Sequence, residues 1–506
     1  MYDLVVLGGG SGGLSVASAA ARVGAKVALI EKYRLGGECT HTACVPSKAL
    51  IEAARLAHRI RSADALGIRV GSIDVDFGAV MNRVRAVVSE FAGSGSGGSL
   101  RAKGIDVYQG SPVFEAYDTV LVDGTTRISG QKFVIATGSR PMIPNIPGLA
   151  DVGYHDNTTI WNLTERPASL TFIGGGPTAM ELAQAFARLG TEVTVLANSD
   201  HILPREDPEV SERVETCLAA EGITFRTGAE VTGITTRDGL KVCTYREEAT
   251  QKTGQAVSTH LFVAVGRLAN VEGLNLDAVG IHADAAHGIE VDDYLMTRSQ
   301  RILAIGDVLH DHQYTHAAER EAAVAFQNAV LHIPKRIDYS AMPRATFVDP
   351  EVATVGLSEA EARDQHPEVR TFRAEFADLD RARIDGRTEG FAKLVATPAG
   401  RILGATIVGE NASLILQEFV LAMEHGLTLK DVAATVHIYP SYAGMAGKLA
   451  NQFAATRLEG GFLMAALRWF YGFPSRVTAN GEGSRTPQTE HGQVVEPVEH
   501  APGAGH

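Results

Sequence analysis

Two stretches of this chain follow one pattern, and that pattern restricts the fold more than any other feature. YDLVVL, Tyr2 to Leu7, reads as a buried strand. Gly8, Gly10 and Gly13 follow in the spacing G-x-G-x-x-G. An alanine-rich helix spans Ser15 to Val23, and a second strand from Lys26 to Ile30 closes on Glu31. In such a unit the glycines allow a tight turn, close approach to a pyrophosphate and tight helix–strand packing, while the acid reaches a ribose hydroxyl. A glycine-rich turn alone would say little; strand, helix and acid together predict a dinucleotide site. From Leu170 the pattern repeats, with Gly174, Gly176 and, in the third place, Ala179, which that place tolerates. After the strand Glu192 to Leu196, the acid is missing: Ala197, Asn198 and Ser199 stand there instead. That tilts the second site toward a 2′-phosphorylated dinucleotide, NADPH over NADH, with His201 or Arg205 as phosphate partners. The alternative is that both side chains are merely solvated.

Just past the first unit lies GGECTHTACVPSK, Gly36 to Lys48, with two of the four cysteines in the chain, Cys39 and Cys44. Buried cysteines acting as small hydrophobes are one reading. A metal site is another, but Cys217 and Cys243 lie far away in sequence. Redox chemistry is favoured for three reasons. The pair adjoins a nucleotide fingerprint. Pro46 suits the first turn of a helix. A helix N-terminus and Lys48 both favour a thiolate. The helix continues from Ala49 to Ile60, with Leu50, Ala53, Ala57 and Ile60 expected on its buried face.

At 506 residues the chain predicts roughly three domains. A net charge of −13 argues against nucleic acid as a partner. No run reaches the ~18 apolar residues of a membrane span. Four cysteines make no secreted disulfide scaffold, so a cytoplasmic location is expected, where a disulfide is usually catalytic or sensing.

Further along, Gly93 to Ser99 reads as a flexible surface loop. Phe133 to Pro141 is a strand entering a Gly turn, and Pro141, Pro144 and Pro147 mark a crossing between domains. Leu261 to Asn270 is a strand and turn. Arg301 to Val308 is a strand ending in Gly306 and Asp307, an acid placed to meet a cofactor hydroxyl. His310, His312 and His316 are read as a polar loop, not a metal site. From Arg344 the pattern becomes α+β: a strand, a Pro turn and a helix, a hairpin over Phe391 to Ala396 and Ile402 to Val408, then helices over Ser413 to Glu424 and Ala443 to Gln452. Gly460 to Phe473 is an aromatic helical stretch, read as a packing helix, with a membrane-surface helix as the alternative. Disorder is expected from Ser475. The fold expected is α/β: two Rossmann-like dinucleotide-binding domains and a C-terminal α+β dimerisation domain. Its expected bounds are 1–150 and 271–343 for the first nucleotide domain, 151–270 for the second, 344–458 for dimerisation and 459–506 for an extension.

These motifs, in this order from Tyr2 to about Thr456, resemble the class I pyridine nucleotide–disulfide oxidoreductases, the group of dihydrolipoyl dehydrogenase, glutathione reductase and mercuric reductase. The CVPSK stretch is the most specific match. The turn Ala136, Thr137, Gly138, the turn at Gly266 and Arg267, and the pair Gly306 and Asp307 match as well. The resemblance implies FAD at Gly8, Gly10, Gly13 and Glu31, and a nicotinamide donor at Gly174, Gly176, Ala179 and Asn198. It also implies a homodimer, and Lys48 with Glu181 beside the flavin's reactive nitrogen. There are departures. The family closes its site with a His-x-His-Pro segment from the partner subunit, its second His held by a Glu. Here the segment is VHIYPSYAG: Tyr439 replaces the catalytic His, Pro440 matches, and Gly444 replaces the Glu. Mercuric reductases resemble the chain in placing a tyrosine there, and Asn198 stands where they commonly have Arg. Their adjacent C-terminal cysteines and N-terminal metal-binding domain have no counterpart in this sequence.

The resemblance implies that NAD(P)H reduces FAD and FAD reduces a Cys39–Cys44 disulfide, with Cys44 facing the flavin and Cys39 exchanging with the acceptor. With an ordinary pKa of about 10, Tyr439 is a poor base near neutrality, and His437 could serve only if turned inward. The acceptor expected is a small disulfide, a metal ion or a quinone. Three alternatives stand: a dihydrolipoyl dehydrogenase, a flavin quinone reductase or oxidase with vestigial cysteines, and a non-catalytic flavin redox sensor.

Overall fold

In the computed structural model, which describes residues 1–94, 97–459, 466 and 469–472, the strand Tyr2–Leu7 is the centre of the first sheet. Leu4 to Leu7 are fully buried, as a parallel strand covered on both faces requires. It pairs in parallel with Val27–Glu31 on one side and Thr126–Ile135 on the other; Ile105–Gln109 adds beyond Val27–Glu31. The long strand Thr126–Ile135 serves two purposes. Its first half pairs antiparallel with Thr119–Val122, which pairs with Pro112–Ala116. Its second half takes Ile302–Ala304 in parallel, so the chain returns to this sheet after the second fingerprint.

The second sheet is also parallel, ordered Thr224–Arg226, Glu192–Leu196, Ser169–Ile173, His260–Val263. An antiparallel meander, Ala229–Arg237, Leu240–Glu247 and Thr253–Ser258, is inserted before its last strand. The third sheet is antiparallel, ordered Arg344–Thr346, Glu351–Gly356, Ile402–Gly409, Phe391–Ala396, Arg370–Glu375. The helix Ala412–Glu424 packs on it through Ile415, Leu416 and Phe419. This is the α/β architecture with a C-terminal α+β domain that the motifs imply.

Three expectations are corrected. Gly93 to Ser99 is not an open loop: one helix, Phe77–Ser94, runs into it and another, Gly97–Ala102, begins within it, with residues 95 and 96 outside the described chain. On the helix Cys44–Arg61 the buried stripe is Leu50, Ile51, Ala54 and Ala57, while Ala53 and Ile60 are half-exposed, because neighbouring helices cover it from a slightly rotated direction. The fingerprint helix starts at Ser11, four residues before the alanine run, as Ser11–Arg22.

The chain divides into two units, Met1–Ala454 and Ala455–His506. Most of Gly460 to Phe473, and all of the chain from Ser475, lies outside the described residues. Among the described residues no helix is long and apolar enough to cross a membrane.

Candidate functional site

Both fingerprints build the same turn. Gly8 has φ +109°, and a Cβ on it would lie 2.2 Å from the Ala136 carbonyl oxygen; Gly174 has φ +118°, and its Cβ would lie 2.2 Å from that of Ala264. Only glycine fits either place. A Cβ at Gly13 would strike the Gly8 carbonyl oxygen, whereas Ala179 carries its methyl fully buried. Gly10 and Gly176 instead face open space, each capping a helix with no acidic residue in its first turn and no side-chain cap. Those N–H groups and the helix dipole are what a pyrophosphate needs, so both cradles fit a dinucleotide. Glu31 accepts hydrogen bonds from the backbone N–H of Gly9 and Tyr33, both at 2.6 Å, and so braces the first turn.

The cysteines sit beside this cradle. Gly36 and Gly37, both with positive φ, turn the chain into a five-residue helix, Gly37–His41, that carries Cys39. Cys44 is the first residue of Cys44–Arg61, and both cysteines are thiols here. The Cys44 thiol is pushed down to about 6, chiefly by a hydrogen bond from Cys39, with Thr315 and the Lys48 charge adding to the effect and burial opposing it. The Cys39 thiol is pushed up by the same bond and by burial. The pair therefore favours the thiolate on Cys44 and the thiol on Cys39.

Lys48 Nζ donates to Glu181 Oε2 at 2.7 Å and lies 4.6 Å from the centre of the Phe347 ring. The Phe347 N–H donates to the other Glu181 oxygen at 2.8 Å. Thr315 Oγ1 lies 3.5 Å from Cys44 Sγ. The structure thus brings together Cys39, Cys44, Lys48 and Glu181, residues 142 positions apart in sequence, as 181 − 39. Sequence reading missed Thr315 and Phe347, which carry no motif of their own.

A second cluster adjoins it. Arg267 Nε donates to Ser139 Oγ at 2.8 Å, Ser139 Oγ donates to Asp307 Oδ2 at 2.6 Å, and the Arg267 guanidinium also ion-pairs with Glu38. Burial pushes the Arg267 guanidinium down. Thr137 Oγ1 donates to the Asn270 carbonyl at 2.7 Å, and the Gly138 carbonyl accepts from the Asn270 N–H at 2.9 Å. Gly266 and Gly306 take positive φ at their turns. The Gly306 N–H donates to the buried Glu321 carboxylate.

Asn198 is exposed, and His201 Nδ1 turns back to the Ile202 carbonyl at 2.9 Å. Arg205 is exposed. Arg226, missed in the sequence, is register-paired with Leu196, and its carbonyl accepts from Ala197 N–H at 2.9 Å. Its guanidinium donates to the Tyr245 hydroxyl at 3.3 Å and to the Phe225 carbonyl at 2.8 Å.

Tyr439 and His437 do not join the cysteines within one chain. Tyr439 is 77% exposed and donates to Asp380 Oδ2 at 3.2 Å, which pushes its phenol up. His437 Nε2 lies 2.9 Å from Glu418 Oε1. The glutamate absent at Gly444 is thus matched by another, on a different helix and paired with a different residue. His312 and His316 stack on Tyr339 and Tyr314. Among the described residues no group of three or more histidines, cysteines and acids could hold a metal ion.

Two nucleotide cradles and a dithiol on one α/β scaffold define a pyridine nucleotide-linked flavoprotein dithiol oxidoreductase. The family model described as pyridine nucleotide-disulphide oxidoreductase matches residues 2–322, and that of its dimerisation domain matches residues 342–450. The chain belongs to the class I pyridine nucleotide–disulphide oxidoreductases, FAD-dependent enzymes. It is 34% identical to a mercuric reductase of Lysinibacillus sphaericus over 87% of this chain and 81% of that one. It is 35% identical to a dihydrolipoyl dehydrogenase of Geobacillus stearothermophilus over 89% and 95%. Among solved structures it resembles the HOCl-induced flavoprotein disulfide reductase RclA from Escherichia coli, also solved as a Cu(II) complex. For the former the TM-score is 0.79 at 26% identity, covering 89% of this chain and 99% of that one.

Proposed function

We propose that this enzyme takes electrons from NADPH and passes them through Cys39 and Cys44 to a small disulfide, metal-ion or quinone acceptor, and that a thiophilic metal ion suits it best. The observation that carries the choice is Tyr439, a phenol standing where the family has its catalytic His and donating to Asp380 Oδ2 at 3.2 Å. A disulfide acceptor needs a proton for its leaving thiolate, and a base or acid near pH 7 supplies it. A metal ion needs none, and thiolates bind soft metals. The relatives named mercuric reductase and the Cu(II) complex of RclA support this reading.

FAD would rest on Gly8, Gly10 and Gly13, with Glu31, Thr137, Gly138, Gly266, Arg267, Gly306 and Asp307 around it. When bound it supplies the conversion of a hydride into an electron pair. The rest is done by side chains. The Cys39–Cys44 S–S bond breaks on taking two electrons and one proton, leaving Cys39 as thiol and Cys44 as thiolate. It re-forms as two electrons pass to the acceptor and the Cys39 proton is released to solvent or the acceptor. Thr315 and Lys48 hold the thiolate, and Glu181 fixes Lys48. NADPH would sit on Gly174, Gly176 and Ala179, its 2′-phosphate near Asn198, His201, Arg205 and Arg226. The segment 271–343 would complete the FAD domain begun by 1–150. A homodimer would bring Tyr439 and His437 to the partner's site.

The test is steady-state turnover with NADPH and NADH against lipoamide, glutathione disulfide, Hg(II), Cu(II), a quinone and oxygen. Lipoamide turnover roughly a hundredfold below that with a metal ion is expected, the size of a missing acid–base group. Lipoamide as the fastest acceptor would replace this reading with dihydrolipoyl dehydrogenase. Undiminished quinone turnover in Cys39→Ser would replace it with a quinone reductase.

A further inference from the structure

Cys39 is carried on a helix of only five residues entered through two positive-φ glycines. So short a helix does not hold itself, since isolated helices below about 12 residues are marginal. Its position must come from outside contacts. Three are present. His41 Nε2 lies 2.9 Å from the Leu35 carbonyl. Trp161 Nε1 donates to the Thr42 carbonyl at 2.9 Å. The third is Glu38, directly before Cys39, which is held at both ends. Its carbonyl accepts from the N–H groups of Thr42 and Ala43, each at 2.8 Å, closing the turn between the cysteines. Its carboxylate ion-pairs with Arg267, which Ser139 holds in turn and Asp307 faces at 3.7 Å.

We propose that Glu38 is a positioning residue: its ion pair with Arg267 fixes Cys39 where the Cys39 thiol can donate to the Cys44 thiolate. This rests on the dithiol reading of the reaction. Losing the anchor lets Cys39 drift, and the Cys44 thiolate loses its strongest stabilising partner. The groups facing Cys44 are otherwise Thr315, Lys48 and Glu181, and Glu38 touches none of them in the bonds observed.

The experiment uses the FAD-loaded full chain, reduced by NADPH under argon. Two signals are followed against pH: the long-wavelength thiolate–flavin absorption band, and alkylation of Cys44 by iodoacetamide mapped by mass spectrometry. In Glu38→Ala both midpoints should rise by about one unit, tenfold less thiolate at a fixed acidic pH. Glu38→Gln keeps an oxygen for Arg267 and should move them less than half as far. If Glu38→Ala does not accumulate folded, Glu38→Thr, too short to reach Arg267, takes its place. Unmoved midpoints overturn the proposal, and so does Glu38→Gln moving as far as Glu38→Ala, since charge and not position would then matter. An unmutated protein with neither signal overturns the dithiol reading itself, a separate result.

Discussion

At the scale of single residues, the chemistry is a matter of where one proton rests. The surroundings favour it on Cys39 rather than Cys44, because a thiolate that accepts hydrogen bonds beside a lysine is favoured over one that does not. The sign follows directly. With Cys44 lowered to about 6, the thiolate is present above that pH and disappears below it. The absorption band of the NADPH-reduced enzyme should therefore fade on acidification with a midpoint near 6 and be absent at every pH in Cys44→Ser. Thr315→Val removes one hydrogen bond to the thiolate, worth about 1.5–3 kcal/mol for a charged partner. Its midpoint should rise by about one to two units, read from the same titration; a midpoint that stays put would deny Thr315 this role. Tyr439→His should add an ionisation near neutrality to the pH–rate profile with lipoamide while leaving the band unchanged.

At the scale of elements, what could be seen in the sequence was whatever is local. A strand, a glycine turn and a helix are contiguous, so Gly8 to Gly13 and Gly174 to Ala179 announce themselves, and so does the CVPSK helix start. Contacts across the chain do not. Thr315 meets Cys44 from the start of a helix 271 residues away, and Phe347 meets Glu181 from 166 residues away. Arg226 comes beside Leu196 only because its strand pairs with Glu192–Leu196. Gly93 to Ser99 looked open because glycine and serine are poor helix formers. Yet the helix Phe77–Ser94 is anchored by buried Phe77, Met81 and Val84, and Leu100 in the next helix is buried as well, so packing overrides propensity. The two glycine turns, alike in geometry, should fail separately. Gly174→Ala strains its turn against the Ala264 carbonyl; flavin content should be normal and reduction by NADPH lost. Gly8→Ala should give protein without flavin. Flavin absorbance after purification distinguishes the two. Arg226→Ala should raise the KM for NADPH about tenfold and leave that for NADH in place, as losing one charged contact to a 2′-phosphate requires.

At the scale of the whole molecule, the second nucleotide domain is tied to the third sheet by ions. Arg344 Nε donates to Glu206 at 2.8 Å, and Lys393, its side chain 7% exposed, pairs with Asp207 and Glu209. All three acids lie within four residues of Arg205, so the segment after it is anchored on the domain that matches the dimerisation model. Lys393→Ala leaves Asp207 without its cation and Glu209 with Arg373 alone, and should cost about 3 kcal/mol, read as a lower Tm. That same domain presents the strongest argument for a second copy. Val436 is 93% exposed, Ile438 80% and Tyr439 77%, three large apolar-bodied side chains in a row on an otherwise well-buried sheet domain. Such a row is stable in water only at a cost, roughly 25 cal/mol for each Å² of apolar surface, which a partner surface removes. If a second copy covers it, Val436→Asp with Ile438→Asp should give a monomer by analytical ultracentrifugation. The monomer should still hold FAD and still be reduced by NADPH, because both cradles lie within one chain. Turnover with the physiological type of acceptor should fall sharply, because Tyr439 and His437 would no longer reach the partner's cysteines. A double variant that stays dimeric, or a monomer as active as the dimer, would show that the VHIYPSYAG segment does not complete the neighbouring site.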